Sequence, residues 1–357
     1  MKPDFTKKLL AWNRDFNTRT MPWKGEKNPY KIWLSEIILQ QTRVEQGLAY
    51  YHRFIEAFPT IQDLAAAPEQ QVFKLWEGLG YYTRCKNLIA TAIFICKEHN
   101  GQFPDAYESI LSLKGVGPYT AAAIGSFAFN LPHAVIDGNV LRVLSRYFGI
   151  STPIDSNAGK KLYSLLASEL LDKAAAGVYN QAIMDFGAVI CKPQLPLCKI
   201  CPQKKECQAL QHGMVKLLPV KEKQLQKKTR WLYYFIVHIK DAVLVRKRTG
   251  KDIWENLYEF VLYEPAALLE PGEKIMQPVI KKMLGKQAFT IKTISPVFRQ
   301  QLTHQTIIGQ FIELETSAVP AGLKKYELVK KTTLINYPFP KTIAAYLQQQ
   351  SNPMQLF

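Results

Sequence analysis

Nothing in the 357-residue chain is long and apolar enough to cross a bilayer, which takes about 20 consecutive apolar residues; the most apolar stretches, such as residues 121–129, are far shorter. Residues 1–16 mix polar with apolar side chains and lack the continuous apolar core of a secretion signal. A cytoplasmic protein with no membrane partner is expected. Acidic residues are scarce: 29 Asp and Glu face 46 Lys and Arg, a formal charge of +17. That excess gathers polyanions, nucleic acid before anionic membrane. Cysteine is scarce as well, with six, and a reducing compartment removes disulfides as the reason for them. The sequence has no internal repeat and no low-complexity tract, which excludes a repeat array.

What is present changes character along the chain. Length alone predicts two or three domains. From residue 5 to about 209, apolar residues recur every three or four positions. The breaks fall at turn signals such as Lys27-Asn28-Pro29, Ala67-Pro68 and Gly101-Gln102-Phe103-Pro104. A mostly α domain over residues 1–211 is predicted. Residues 212–229 are Lys-rich, hold Pro219 and read as a basic linker. The aromatic and β-branched run 231–239, a Lys240-Asp241 break and Val243-Leu244-Val245 predict a hairpin. It opens an α+β domain over 230–357, with a later strand near 305–314.

Four of the cysteines, Cys191, Cys198, Cys201 and Cys207, lie within seventeen residues as C-x6-C-x2-C-x5-C. Four thiolates this close suit one metal centre, and the spacing leaves both a tetrahedral zinc and a cubane iron–sulfur cluster open. Cys85 and Cys96 remain as free thiols. A second motif, Lys114-Gly115-Val116-Gly117-Pro118-Tyr119-Thr120, joins two predicted helices. Gly115 and Gly117 flank Val116 and permit a tight turn and close backbone approach. Pro118 suits the first helical turn, whose outward N–H groups and dipole attract phosphate.

Two carboxylates stand in opposite surroundings. Glu36 lies inside Tyr30-Lys31-Ile32-Trp33-Leu34-Ser35-Glu36-Ile37-Ile38-Leu39, a helix apolar on nearly every side and therefore buried. Burial raises its pKa and lets it donate a proton near neutrality. Asp137, in Ile136-Asp137-Gly138-Asn139-Val140, precedes an amphipathic helix and reads as its N-cap, where N–H donors favour the ionised form. One protonated and one ionised carboxylate are what glycosidic cleavage requires.

Together these stretches, with Leu75-Trp76-Glu77-Gly78-Leu79-Gly80-Tyr81-Tyr82 and Gln40-Gln41-Thr42-Arg43, resemble the MutY-type adenine DNA glycosylases of the endonuclease III-like helix-hairpin-helix, iron–sulfur superfamily. The resemblance implies a helical glycosylase domain with a [4Fe–4S] loop at the four cysteines, followed by an α+β Nudix-like lesion-recognition domain. It implies hydrolysis of the N-glycosidic bond of adenine mispaired with 8-oxoguanine or guanine in double-stranded DNA. The enzyme would be a monomer in the bacterial cytoplasm, nucleoid-associated while it searches. Carried over by motif position, Glu36 is the general acid, Asp137 stabilises the oxocarbenium ion and Asn139 stands beside it. Position 119 holds Lys in relatives that also nick the strand; Tyr119 here implies base removal alone.

The same resemblance places Trp23, Val44 and Gln181 in the adenine pocket, and Gln41 and Tyr81 among the inserting side chains. It puts Gly115, Val116 and Gly117 on phosphate, and Thr42, Leu79, Thr303 and His304 at the 8-oxoguanine nucleotide. Two departures stand out: Lys24 replaces Arg after the Pro22-Trp23 pair, and Leu302 replaces Phe before Thr303-His304. Residues 264–286 lack the clustered carboxylates of a Nudix metal site, which argues against nucleotide hydrolysis. A glycosylase–lyase and a non-catalytic iron–sulfur DNA-binding protein are the competing readings. Tyr119 opposes the first, and the Glu36–Asp137 pair the second.

Overall fold

The computed structural model describes residues 2–222, 227–269 and 273–351. The chain forms two compact units, one of Met1–Ala66 with Lys86–Gln224 and the other of Ala67–Cys85 with Leu225–Phe357.

The first unit is helical, as its periodicity predicts. Asn28 caps the Pro29–Leu39 helix by accepting from the N–H groups of Tyr30 and Lys31, and Pro29 fills the first turn. That helix is buried along most of its length and packs on the Pro118–Phe129 helix. Asp137 caps the Gly138–Phe148 helix, which stops at Gly149 in the left-handed region (φ 67°). Its apolar face (Val140, Val143, Leu144, Tyr147) meets Phe5, Leu9 and Trp12 of the Lys2–Phe16 helix and Tyr179, Ile183 and Phe186 of the Ala176–Val189 helix. Each such side chain, fully buried, contributes roughly 1.5–3 kcal/mol, so this seam holds the Asp137 cap in place. The approach is close at Gly187, where a Cβ would lie 2.6 Å from Asn139 Cβ.

The second unit is built on a mixed sheet. Its strands are β1 (Lys228–Ile239), β2 (Ala242–Lys247), β3 (Tyr258–Glu259), β4 (Val261–Tyr263), β5 (Thr290–Ile294), β6 (Phe298–Gln301), β7 (Gln305–Glu315) and β8 (Glu327–Lys330). The path runs β3-β2-β1-β7-β5, with β4 on β1, β6 on β7 and β8 on β2. β1 and β2 form the predicted hairpin, pairing Ile239 with Ala242. β1 and β7 run parallel in register from Lys228↔Gln305 to His238↔Glu315, while the other ladders are antiparallel.

Alternation along β1 buries both faces, which is why its sequence reads as one continuous apolar run. Tyr233, Phe235 and Val237 meet Met276, Ile280 and Leu284 of the Glu273–Leu284 helix. Tyr234 stacks on Phe311, and Phe311 on Tyr346 of the Lys341–Ser351 helix. Segment 67–85 groups with this unit by contact: Phe339 N–H donates to Glu77 (2.7 Å) and Lys74 Nζ to Tyr337 O (3.1 Å). No helix among the described residues is long and apolar enough to cross a membrane.

Candidate active site

The first unit contains a cavity of about 450 Å³ whose wall includes Glu36, Tyr119, Asp137 and Asn139. The packing of the Pro29–Leu39 helix on the Pro118–Phe129 helix sets Glu36 against Tyr119, and the Gly138–Phe148 cap supplies Asp137. Glu36 is 5% exposed. Burial pushes its carboxyl up to about 7; a hydrogen bond from Tyr119 opposes the rise, and the neighbouring Asp137 adds to it.

Asp137 accepts from Val140 N–H at 2.8 Å and from Asn139 Nδ2 at 2.6 Å. Burial raises its pKa too, against the pull of those donors and of Arg142. The cap therefore does not hold Asp137 low, as the sequence suggests, because desolvation outweighs the donors. It does moderate the rise, whereas Glu36 has only Tyr119 to do so. Tyr119 itself is pushed far up by burial and by the two carboxylates, and so stays a neutral hydroxyl.

Trp23, Gln41, Thr42, Val44 and Gln181 share the same cavity wall. Sequence reasoning missed Arg19 and Met184, which also line it. It missed Asp185 as well, a wholly buried side chain that binds Arg19, Lys24, Asn17 and Gln181. Four donors around one buried acid leave no trace in local spacing, since three of them come from the segment after the Lys2–Phe16 helix. Lys24 turns its ammonium to Asp185 (2.9 Å) and to Arg19 O (2.8 Å).

The cysteines form a separate place in this unit. Cys191, Cys198, Cys201 and Cys207 line one small cavity beside Arg146, and all four are free thiols. Arg146 Nη1 lies 3.6 Å from Cys191 Sγ and donates to Lys192 O at 2.6 Å. Burial pushes the Cys201 thiol up to about 12 and those of Cys191 and Cys207 upward as well. Gathering four thiols here offers little by itself; a strongly electrophilic centre that binds them as thiolates fits the donor set. Among the described residues no group of three or more His, Cys, Asp or Glu is arranged to hold a single metal ion. Arg142 runs from this loop to Asn139, the partner of Asp137, donating to Cys191 O (2.7 Å), Gly187 O (2.7 Å) and Asn139 Oδ1 (2.8 Å).

The hairpin Gly115-Val116-Gly117 lies outside the cavity wall, between the Tyr107–Leu111 and Pro118–Phe129 helices. Gly115 has φ 81°, and a Cβ there would stand 2.9 Å from Asn87 Cβ. Gly117 is the N-cap of a helix with no side-chain cap bond and with Pro118 in its first turn. Gln41 (φ 57°) and Tyr81 (φ 50°) both adopt the left-handed region, which costs a non-glycine residue. Leu79, Tyr81, Thr303 and His304 belong to the second unit. Leu79 is buried; Thr303 and His304 form the exposed turn between β6 and β7, and Tyr81 Oη lies 2.5 Å from Thr303 Oγ1.

Known families match both halves. Residues 34–168 match the HhH-GPD superfamily of base excision DNA repair proteins, and residues 232–349 match the NUDIX domain. The chain is 36% identical over 307 residues to the adenine DNA glycosylase of Buchnera aphidicola subsp. Baizongia pistaciae, covering 85% of this chain and 84% of that one. A thermostable thymine-DNA glycosylase structure aligns with TM-score 0.55 and 30% identity over 59% of this chain and 97% of its own. An endonuclease III–DNA complex shares the fold with TM-score 0.51 and 21% identity over 60% of this chain and 98% of its own. A helical HhH-GPD unit with two carboxylates on one buried cavity, followed by a NUDIX unit, places this chain in the adenine DNA glycosylase family.

Proposed function

We propose that the protein removes adenine paired with 8-oxoguanine or guanine in double-stranded DNA and does not cut the strand. One observation carries this reading: a buried Glu36 poised near 7 shares a cavity with Asp137 and with a tyrosine at position 119. The adenine leaves the base stack and enters the cavity. Glu36 gives its proton to N7, the glycosidic electron pair departs with the base, and Asp137 stabilises the cationic sugar. Water then adds to the sugar carbon and releases a proton, leaving an abasic site. Strand nicking by this family's route needs an amine that forms a Schiff base with the sugar. Among the described residues no lysine lines the cavity.

Gly115, Val116 and Gly117 bind a phosphate on the DNA, with Gln41 and Tyr81 filling the space that adenine vacates. Thr42, Leu79, Thr303 and His304 read the base left opposite. Cys191, Cys198, Cys201 and Cys207 would hold a [4Fe–4S] cluster, which when bound supplies a rigid cross-link and a one-electron redox couple. The Glu273–Leu284 helix carries a single acidic residue, which supports lesion recognition rather than nucleotide hydrolysis.

The test is single-turnover incubation with a duplex holding one 8-oxoguanine·adenine pair, with and without alkali. Breakage only after alkali is the expected result. Breakage without alkali means a lyase, and intact DNA in both arms means a binding protein.

A further inference from the structure

Asp185 lies in the Ala176–Val189 helix with a side chain wholly buried, and the chemistry above makes no use of it. Four donors converge on its two oxygens. Arg19 Nη1 (2.7 Å) and Gln181 Nε2 (3.0 Å) reach Oδ1, while Asn17 Nδ2 and Lys24 Nζ (both 2.9 Å) reach Oδ2. Arg19 and Gln181 also line the cavity that holds Glu36 and Asp137.

An ionised carboxylate only accepts hydrogen bonds. It therefore selects which end of the Gln181 amide it touches. The NH2 end turns to Asp185, and the carbonyl Oε1 is left for the cavity. The two ends are nearly identical in shape, so packing alone would not choose between them.

We infer that Asp185 is a positioning residue for base selection, acting through Gln181. With Oε1 held as an acceptor, the cavity favours a purine whose six-position donates, as the exocyclic amine of adenine does. It disfavours a 6-oxopurine, whose carbonyl would meet Oε1 lone pair to lone pair. Arg19 is fixed by the same carboxylate as a second rigid part of the wall. The Lys24 ammonium is taken up by Asp185 and Arg19 O, so it serves as counter-charge. This inference rests on the adenine-excision reading above.

The experiment compares single-turnover release of adenine and of hypoxanthine, each opposite 8-oxoguanine, by the full-length protein. The wild type is expected to favour adenine. Asp185→Asn presents both a donor and an acceptor to Gln181, permits either amide orientation, and is expected to narrow the adenine-to-hypoxanthine ratio roughly tenfold or more. Because Asp185→Asn leaves two cations partly unbalanced and could fail to fold, Gln181→Leu provides a second arm. It keeps the other three donors on Asp185 and is expected to narrow the ratio to a similar extent. Asp185→Asn added to Gln181→Leu is expected to narrow it no further. An unchanged ratio in Gln181→Leu overturns the inference, as does an equal slowing of both bases in Asp185→Asn or further narrowing in the double variant. Wild-type protein that releases neither base overturns the excision reading itself, and the inference falls with it.

Discussion

At the scale of single residues, the site depends on how far burial moves each acid. The side chain of Glu36 is held near 7 in the folded protein, against about 4.5 for an exposed glutamate. Between those values the native state keeps a proton that the unfolded chain has released, so stability is lost as pH rises from about 4.5 through 7. Glu36→Gln removes that penalty and is expected to be more stable than wild type at pH 8 by up to about 3 kcal/mol, read from urea melts. The same change is expected to slow adenine release by a factor of ~10² to 10⁴, and the wild-type rate to fall as pH climbs through 7. Undiminished release by Glu36→Gln removes Glu36 from the acid's role. The burial of Glu36 was legible in the sequence, because apolar residues surround it on every turn. The behaviour of Asp137 was legible only in part: the cap could be read from Asp137-Gly138-Asn139, but the desolvation that outweighs its donors comes from residues far away in the chain.

At the scale of elements, apolar recurrence every three or four positions, turn signals between the helices, and an aromatic, β-branched run broken at Lys240-Asp241 were enough to predict the helical unit and the β1–β2 pair. Helix against helix was not legible. Gly187 looks like any helical glycine in the sequence, yet a Cβ there would lie 2.6 Å from Asn139 Cβ and 3.0 Å from its carbonyl oxygen. Gly187→Ala is therefore expected to cost roughly 1–3 kcal/mol and to slow base release, since the helix it pushes carries Asn139 and the Asp137 cap. Thermal melts and single-turnover rates check both parts; a variant with wild-type stability and rate would mean that the seam absorbs the extra methyl. The Asp185 cluster escaped prediction for a related reason, as Asn17, Arg19 and Lys24 reach it from 161 to 168 positions away.

At the scale of the whole molecule, the two units divide the work proposed for them: the first breaks the bond and the second reads the base opposite. Replacing both Thr303 and His304 by Ala is expected to narrow the preference for 8-oxoguanine over guanine about tenfold, while leaving adenine release opposite guanine unchanged. Competition between the two duplexes measures it, and an unaltered preference separates the β6–β7 turn from lesion reading. The parallel pairing of β1 with β7 also bears on how the protein is made. Lys228 meets a partner 77 positions further along, at Gln305. A ribosome adding about 5–20 residues per second leaves β1 waiting for several seconds, an apolar strand whose β7-side edge stays open until synthesis has passed residue 305. For that interval the nascent C-terminal unit is a substrate for chaperones, and messages truncated before that point yield chains prone to aggregate rather than to fold.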